Sequence, residues 1–233
     1  MRKGIVCSFV LYVSCTSVLW ASGTFTNLDF ESATLVPISG DPHNGVYLSE
    51  ALPGWNGFSG TNQLDWILYD NAFLDSTGIA LWSSSGAFPV IQGNYTLSLE
   101  AGLQLGSSSI SADASLSQTG LVPVGTKSLS FLANAFGPFA VSLGGSSLNL
   151  VSSPVTGQNY SLYEADISSF AGQAAELTFT VFAQNPYEGQ LHGLTLDSIE
   201  FSPDPIPEPS GLSLLVIGVA ALGLWRLTYR RAA

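Results

Sequence analysis

The sequence predicts an all-β protein: a jelly-roll β-sandwich over residues 24–203, set between an N-terminal signal peptide and a C-terminal membrane helix. Three observations predict it. Apolar and polar residues alternate with a period of two in short segments, as half-buried antiparallel strands require. Gly, Pro, Ser and Asn clusters separate those segments as turns. No helical periodicity intervenes between them, so the parallel sheets built from strand–helix–strand units are not expected. About ten such strands in about 180 residues suit a two-sheet sandwich, and that length allows one domain with a real core.

The elements follow in chain order. Arg2 and Lys3 precede an apolar or small run from Gly4 to Trp20, and Ala21-Ser22-Gly23 supplies small residues for cleavage. Residues 1–23 therefore read as a secretory signal peptide. Alternating segments then appear as YTLSLE (95–100), KSLSFLA (127–133), FAVSL (139–143), SLNLV (147–151), ELTFTVF (176–182) and LTLDSIEF (194–201). In ELTFTVF, Leu177, Phe179 and Val181 share one face and Thr178 and Thr180 the other. Turns are expected at Gly144-Gly145, Ser153-Pro154 and Gly157-Gln158-Asn159, and one short helical turn within 168–176. Residues 204–209 form a Pro-rich linker. Ser210 to Trp225 carries no charge and as a helix spans about 24 Å, short against a hydrocarbon core of about 30 Å. Arg226, Arg230 and Arg231 in the basic tail 226–233 place the terminus on the cytoplasmic side and the domain outside.

Composition narrows the function. Both cysteines, Cys7 and Cys15, lie in the signal peptide, so the mature chain is expected to hold no disulfide and no thiolate metal site. Residues 24–209 contain all 17 acidic residues and a single base, Lys127, for a formal charge of −16. Such a surface repels phosphate backbones and excludes nucleic acid as a partner. Neutral sugars and cations remain as partners, and the acidity also keeps an exported chain soluble.

Pro207-Glu208-Pro209, a short apolar helix and the arginine cluster together resemble the PEP-CTERM sorting signal of exported bacterial proteins. The resemblance covers residues 207–233. It implies an exosortase-type processing enzyme as partner, a transient stop in the inner membrane, and delivery to the envelope or an extracellular matrix. A second resemblance spans the domain thinly. Asn27, Phe30, Glu31, Pro53, Gly54, Trp55, Leu196, Asp197 and Ile199 are similar to positions in galactose-binding-type sandwiches and related carbohydrate-binding modules. Those domains often open with a strand carrying Asn-x-x-Phe-Glu. The likeness implies a core position for Trp55, and it implies that Glu31 and Asp197 help hold a structural Ca²⁺.

The residues themselves make Asp197 unusual. On a regular strand it falls in phase with Ile199 and Phe201; if those face the core, the carboxylate needs a cation, a donor network or a bulge. If Leu194 and Leu196 instead define the core face, Asp197 is solvated. Aromatics crowd residues 55–95 beside Asp65, Asp70 and Asp75. Aromatic faces next to polar groups suit the apolar C–H faces of sugars, which makes Trp66, Tyr69, Trp82 and Phe88 candidate glycan contacts; core packing is the plainer role for each alone. In LDWILYD (64–70), Trp66 and Leu68 alternate with Ile67 and Tyr69, so this strand is expected to be covered on both sides. No catalytic residue is assigned. His43 and His192 have no zinc-site spacing, there is no Gly-x-Ser-x-Gly elbow, and no pair among the acids is marked as a glycosidase pair. Two glycosylation sequons, at Asn94 and Asn159, have no expected role in a bacterial export context. The readings are an exported glycan-binding or matrix protein, a purely structural or adhesive matrix protein, and, third, a small glycan-active hydrolase.

Overall fold

The computed structural model describes residues 23–73, 76–104, 107, 110–183 and 192–206. Residues 1–22 of the expected signal peptide, the Pro-Glu-Pro motif, the apolar segment 210–225 and the arginines lie outside the described residues, as does Asp75. Among the described residues no helix is long and apolar enough to cross a membrane.

Fifteen strands are described, against about ten expected, because the chain also forms short pieces of two to four residues. The first seven are β1 (Gly45–Tyr47), β2 (Asn56–Ser59), β3 (Asn62–Leu64), β4 (Trp66–Tyr69), β5 (Gly78–Ser83), β6 (Tyr95–Leu103) and β7 (Ser111–Ala112). Then come β8 (Ala114–Leu121), β9 (Ser128–Phe136), β10 (Phe139–Leu143), β11 (Ser146–Ser147) and β12 (Val151–Pro154). The last are β13 (Ser161–Asp166), β14 (Ala174–Val181) and β15 (His192–Ser202). One α-helical turn, Leu48–Ala51, and one 3-10 turn, Ser168–Phe170, complete the set; the latter falls where a helical turn was expected.

The strands form two sheets. The large one runs β1-β4-β5-β6-β15-β9-β13-β12, with β7 attached to β6; the small one runs β11-β10-β14-β8-β2-β3. All strand pairs are antiparallel except β4 with β5. From β6 onward the chain switches sheets repeatedly, so each inner face is built from distant sequence. The expected alternation holds in β14: Leu177, Phe179 and Val181 are fully buried, while Thr178 and Thr180 are half-buried on the outside. Aromatic rings link the sheets across the core. Phe179 meets Phe131 edge-on at 5.2 Å and lies 6.4 Å from Trp55, which is 6.0 Å from Phe30. Burying each such ring contributes about 1.5–3 kcal/mol.

Three expectations are corrected. Residues 148–150 are not a strand: β11 belongs to the small sheet and β12 to the large one, so Leu148 and Leu150 span the crossing, half-buried against the core. Ser153 and Pro154 end the edge strand β12 instead of turning, since only an edge tolerates a residue with no N–H to give. The opening segment 25–32 is a pair of turns. Asn27 and Phe30 adopt φ of 50° and 59°, and Asn27 Oδ1 accepts the Ser32 N–H, which takes that backbone out of strand pairing.

Candidate functional site

Several of the nine residues of the thin resemblance come together in the structure. Trp55, buried as expected, donates its indole N–H to Asn27 O at 3.0 Å, and the Ile199 N–H donates to Leu28 O at 3.0 Å. Between these segments runs the loop before β6, clasped by two carboxylates. Glu31 Oε1 accepts the backbone N–H groups of Asn94 and Tyr95 at 2.7 and 3.0 Å, and Oε2 accepts Asn94 Nδ2 at 3.0 Å. Asp197 Oδ2 accepts Thr96 Oγ1 at 2.7 Å and the Gln92 N–H at 3.1 Å. Its Oδ1 accepts the N–H of Ser198 at 2.7 Å and, more weakly, that residue's hydroxyl at 3.3 Å.

Asp197 is buried, at 1 % exposure, but not in the main core. Its register shifts relative to β9 between Asp197 and Glu200, and Ser198 takes φ of 52°. This bulge breaks the phase: Leu194, Leu196 and Ile199 all face the core, while Thr195 and Asp197 face the outside of the large sheet. The expected shared face with Ile199 is thereby overturned, and so is the solvated alternative. Both a bulge and a donor network accommodate the charge. Burial raises the Asp197 carboxyl to about 6, against the lowering effect of Thr96, Gln92 and Ser198. Every oxygen of Glu31 and Asp197 is engaged by an N–H or O–H donor. No cluster of three or more metal-ligating side chains occurs among the described residues. The pair fits loop-clasping better than the oxygen shell of Ca²⁺, which takes six to eight ligands.

The outer face of the large sheet carries the aromatics. Leu68, Phe73, Ala80 and Trp82 form a second buried cluster there, with Trp66 and Phe88 packed against it. Strand β4 is thus covered on both sides as expected, with Ile67 in the main core and Leu68 in this cluster. Trp66, Trp82 and Phe88 come together; Tyr69, on the opposite side of β4, packs on the main core instead. Trp82 is 7 % exposed, stacks on Phe88 at 4.6 Å and donates its indole N–H to Asn71 O at 3.0 Å. It is too buried for an open platform and lines the smaller of two recesses on this face.

One recess, of about 370 Å³, is walled by Trp66 and Phe73, whose rings lie 5.9 Å apart, with His43 and Asn71 at its rim. The other, of about 160 Å³, lies between the Pro89–Ile91 segment and the strands β9 and β15. Among the described residues, no Asp or Glu lines either recess.

Between them in the sheet sits Glu100, 5 % exposed, flanked in register by Gly78 and Gly193. The ring of Phe73 fills the space a side chain at position 78 would need, and the ring of Phe136 does the same at 193. One Glu100 oxygen accepts the Phe73 N–H; Oε2 has no partner. Burial raises this carboxyl to about 7. Phe73, Glu100, Asn134 and Phe136 were not singled out from the sequence, and Asn159 only as a turn residue and a sequon. The available signal was the pair of glycines inside strands, which marks close approach of something else.

No family model matches the chain, and no curated protein matches it in sequence. Among solved structures, its fold is similar to that of TmCBM61 in complex with β-1,4-galactotriose (13 % identity, TM-score 0.44, over 78 % of this chain and 99 % of that one). It is also similar to the enzymatically active domain of tailspike protein 4 of bacteriophage CBA120 (13 %, 0.38, 64 % and 19 %). A third similar structure is the family 11 carbohydrate-binding module of Clostridium thermocellum in complex with a β-1,3-1,4-mixed-linked tetrasaccharide (12 %, 0.31, 67 % and 92 %). The sugars named are ligands of those proteins.

Proposed function

We propose that this jelly-roll domain is a non-catalytic module of an exported bacterial protein, and that it binds neutral polysaccharide on the outer face of its large sheet. The observation that carries the reading is the recess walled by Trp66 and Phe73: an aromatic hollow on a chain whose residues 24–209 carry a formal charge of −16. Stacked rings take the C–H face of a sugar, and the free indole N–H of Trp66 with the exposed imidazole of His43 offers hydrogen bonds to its hydroxyls. Export and sorting rest on the sequence of residues 1–23 and 207–233, where an exosortase-type enzyme is the partner that the tail implies.

Affinity electrophoresis through gels containing neutral or acidic polysaccharides, with and without Ca²⁺, tests the reading. Retardation by a neutral glycan, lost in Trp66→Ala, is the expected result. Uniform mobility in every gel establishes instead the second reading, a structural matrix protein with no ligand site.

A further inference from the structure

The smaller recess has features the larger one lacks. Its floor includes Asn134 of β9, whose side chain shares the outer face with Phe136 because Phe131 and Ala133 point into the core. Asn134 is half-buried, and Asn159 at the rim is exposed. Neither side-chain amide is hydrogen-bonded to another group among the described residues. In the larger recess, by contrast, the Asn71 amide is already committed to His43 O and the Ala72 N–H. An amide presents a donor and an acceptor side by side, which matches two adjacent hydroxyls that can each donate and accept. Phe136 is 41 % exposed, yet its ring is seated against Gly193, so it offers an apolar face already fixed in place. Thr195, beneath, gives its hydroxyl to Asn134 O at 3.3 Å, a weak bond that a better acceptor would replace. Among the described residues no charged side chain lines the recess, which disfavours phosphates, carboxylates and cations as occupants.

We infer that this recess takes a sugar unit of the same neutral chain that Trp66 contacts, so that the domain grips the interior of a polysaccharide at two points. The inference rests on the glycan reading above. Four strand spacings, β4-β5-β6-β15-β9, separate Trp66 from Asn134, or about 19 Å across the sheet. Trp82 connects the two recesses: it lines the smaller, and its indole N–H donates to the backbone carbonyl of Asn71, which lines the larger. A ligand must therefore be several sugars long to engage both, and affinity rises steeply once it does, because the second contact is then intramolecular.

The test titrates the whole protein calorimetrically with a β-1,4-galactan and a mixed-linkage β-glucan, each as short oligomer and as polymer. Side-chain amide signals of Asn134 and Asn159 are followed by NMR. Asn134→Ala is expected to weaken polymer binding roughly tenfold and to leave short-oligomer binding at Trp66 unchanged. Asn159→Ala, at an exposed position that cannot disturb folding, is expected to act in the same direction. Polymer binding that Trp66→Ala abolishes but Asn134→Ala and Asn159→Ala leave within twofold overturns the second contact alone. No binding to any probe overturns the glycan reading, and this inference with it.

Discussion

Glu100 and Asp197 place two carboxyls under the outer face of the large sheet, and burial raises them to about 7 and about 6. Each holds its proton more tightly folded than unfolded, so its stabilising contribution is complete below the unfolded value and is lost as pH rises through the folded one. The windows run from 4.5 to about 7 for Glu100 and from 3.8 to about 6 for Asp197. Glu31 acts oppositely. Burial alone would raise it, but the hydrogen bonds from Tyr95 and Asn94 hold it below 4.5, so its contribution is lost as pH falls. Melting temperature is therefore expected to decline from about pH 4 to about pH 7 and to level off above. Glu100→Gln should remove about half of that decline, leaving the share of Asp197, and stabilise the fold at pH 8 by on the order of 2–3 kcal/mol; thermal melts across the pH range check both, and a decline undiminished by the substitution refutes the assignment. Asp197→Ala strands the donors of Gln92, Thr96 and Ser198 and is expected to cost about 3 kcal/mol in chemical denaturation. Because those donors already satisfy the carboxylate, EDTA should leave the wild-type melt unchanged; a downward shift restored by Ca²⁺ would reinstate the metal.

At the scale of elements, β15 decides the site. Asp197 alternates outward with Thr195 to clasp the loop before β6, the bulge after it returns Ile199 to the core, and Gly193 leaves room for the Phe136 ring. Gly193→Val should force that ring out, destabilising by about 1–3 kcal/mol and opening the smaller recess; the urea midpoint reports the first effect and Phe136 proton shifts the second. The regular strands were legible because burial on one face imposes period two, as in β10 and β14. The bulge was not, since residues 194–201 fit an unbroken alternation equally well and only pairing with β9 shows the extra residue. The 148–150 crossing escaped for a related reason: Leu148 and Leu150 alternate with polar neighbours while passing between sheets. Trp55 was placed correctly in the core. Trp66, Trp82 and Phe88 were placed in one cluster, but sequence spacing could not tell which ring walls a hollow and which fills one. Glu100 alternates outward with Thr96 and Ser98, which reads as solvated; its burial comes from Phe73 and Phe136, which reach it from separate parts of the sequence.

For the whole molecule, charge is the dominant long-range feature. With 17 acids against Lys127 in residues 24–209, self-repulsion opposes compactness. Raising NaCl from a few millimolar to about 0.15 M, where the screening length falls to about 8 Å, is expected to raise the melting temperature; a flat response would show that the acids are too dispersed to matter. One further consequence concerns time. Strand β15 is the last of the described strands, yet it lies in the middle of the large sheet, hydrogen-bonded to β6 on one side and β9 on the other. A chain emerging N-terminus first can assemble the β8–β10–β14 part of the small sheet as it arrives. The large sheet stays split into two halves, with the exposed edges of β6 and β9 open to wrong partners, until residues 192–202 are delivered. Folding and full delivery of the chain are thus coupled: a truncation before His192 should yield a species that is collapsed, sticky and without either recess, and the native state becomes available only to a chain that has come through nearly to its end.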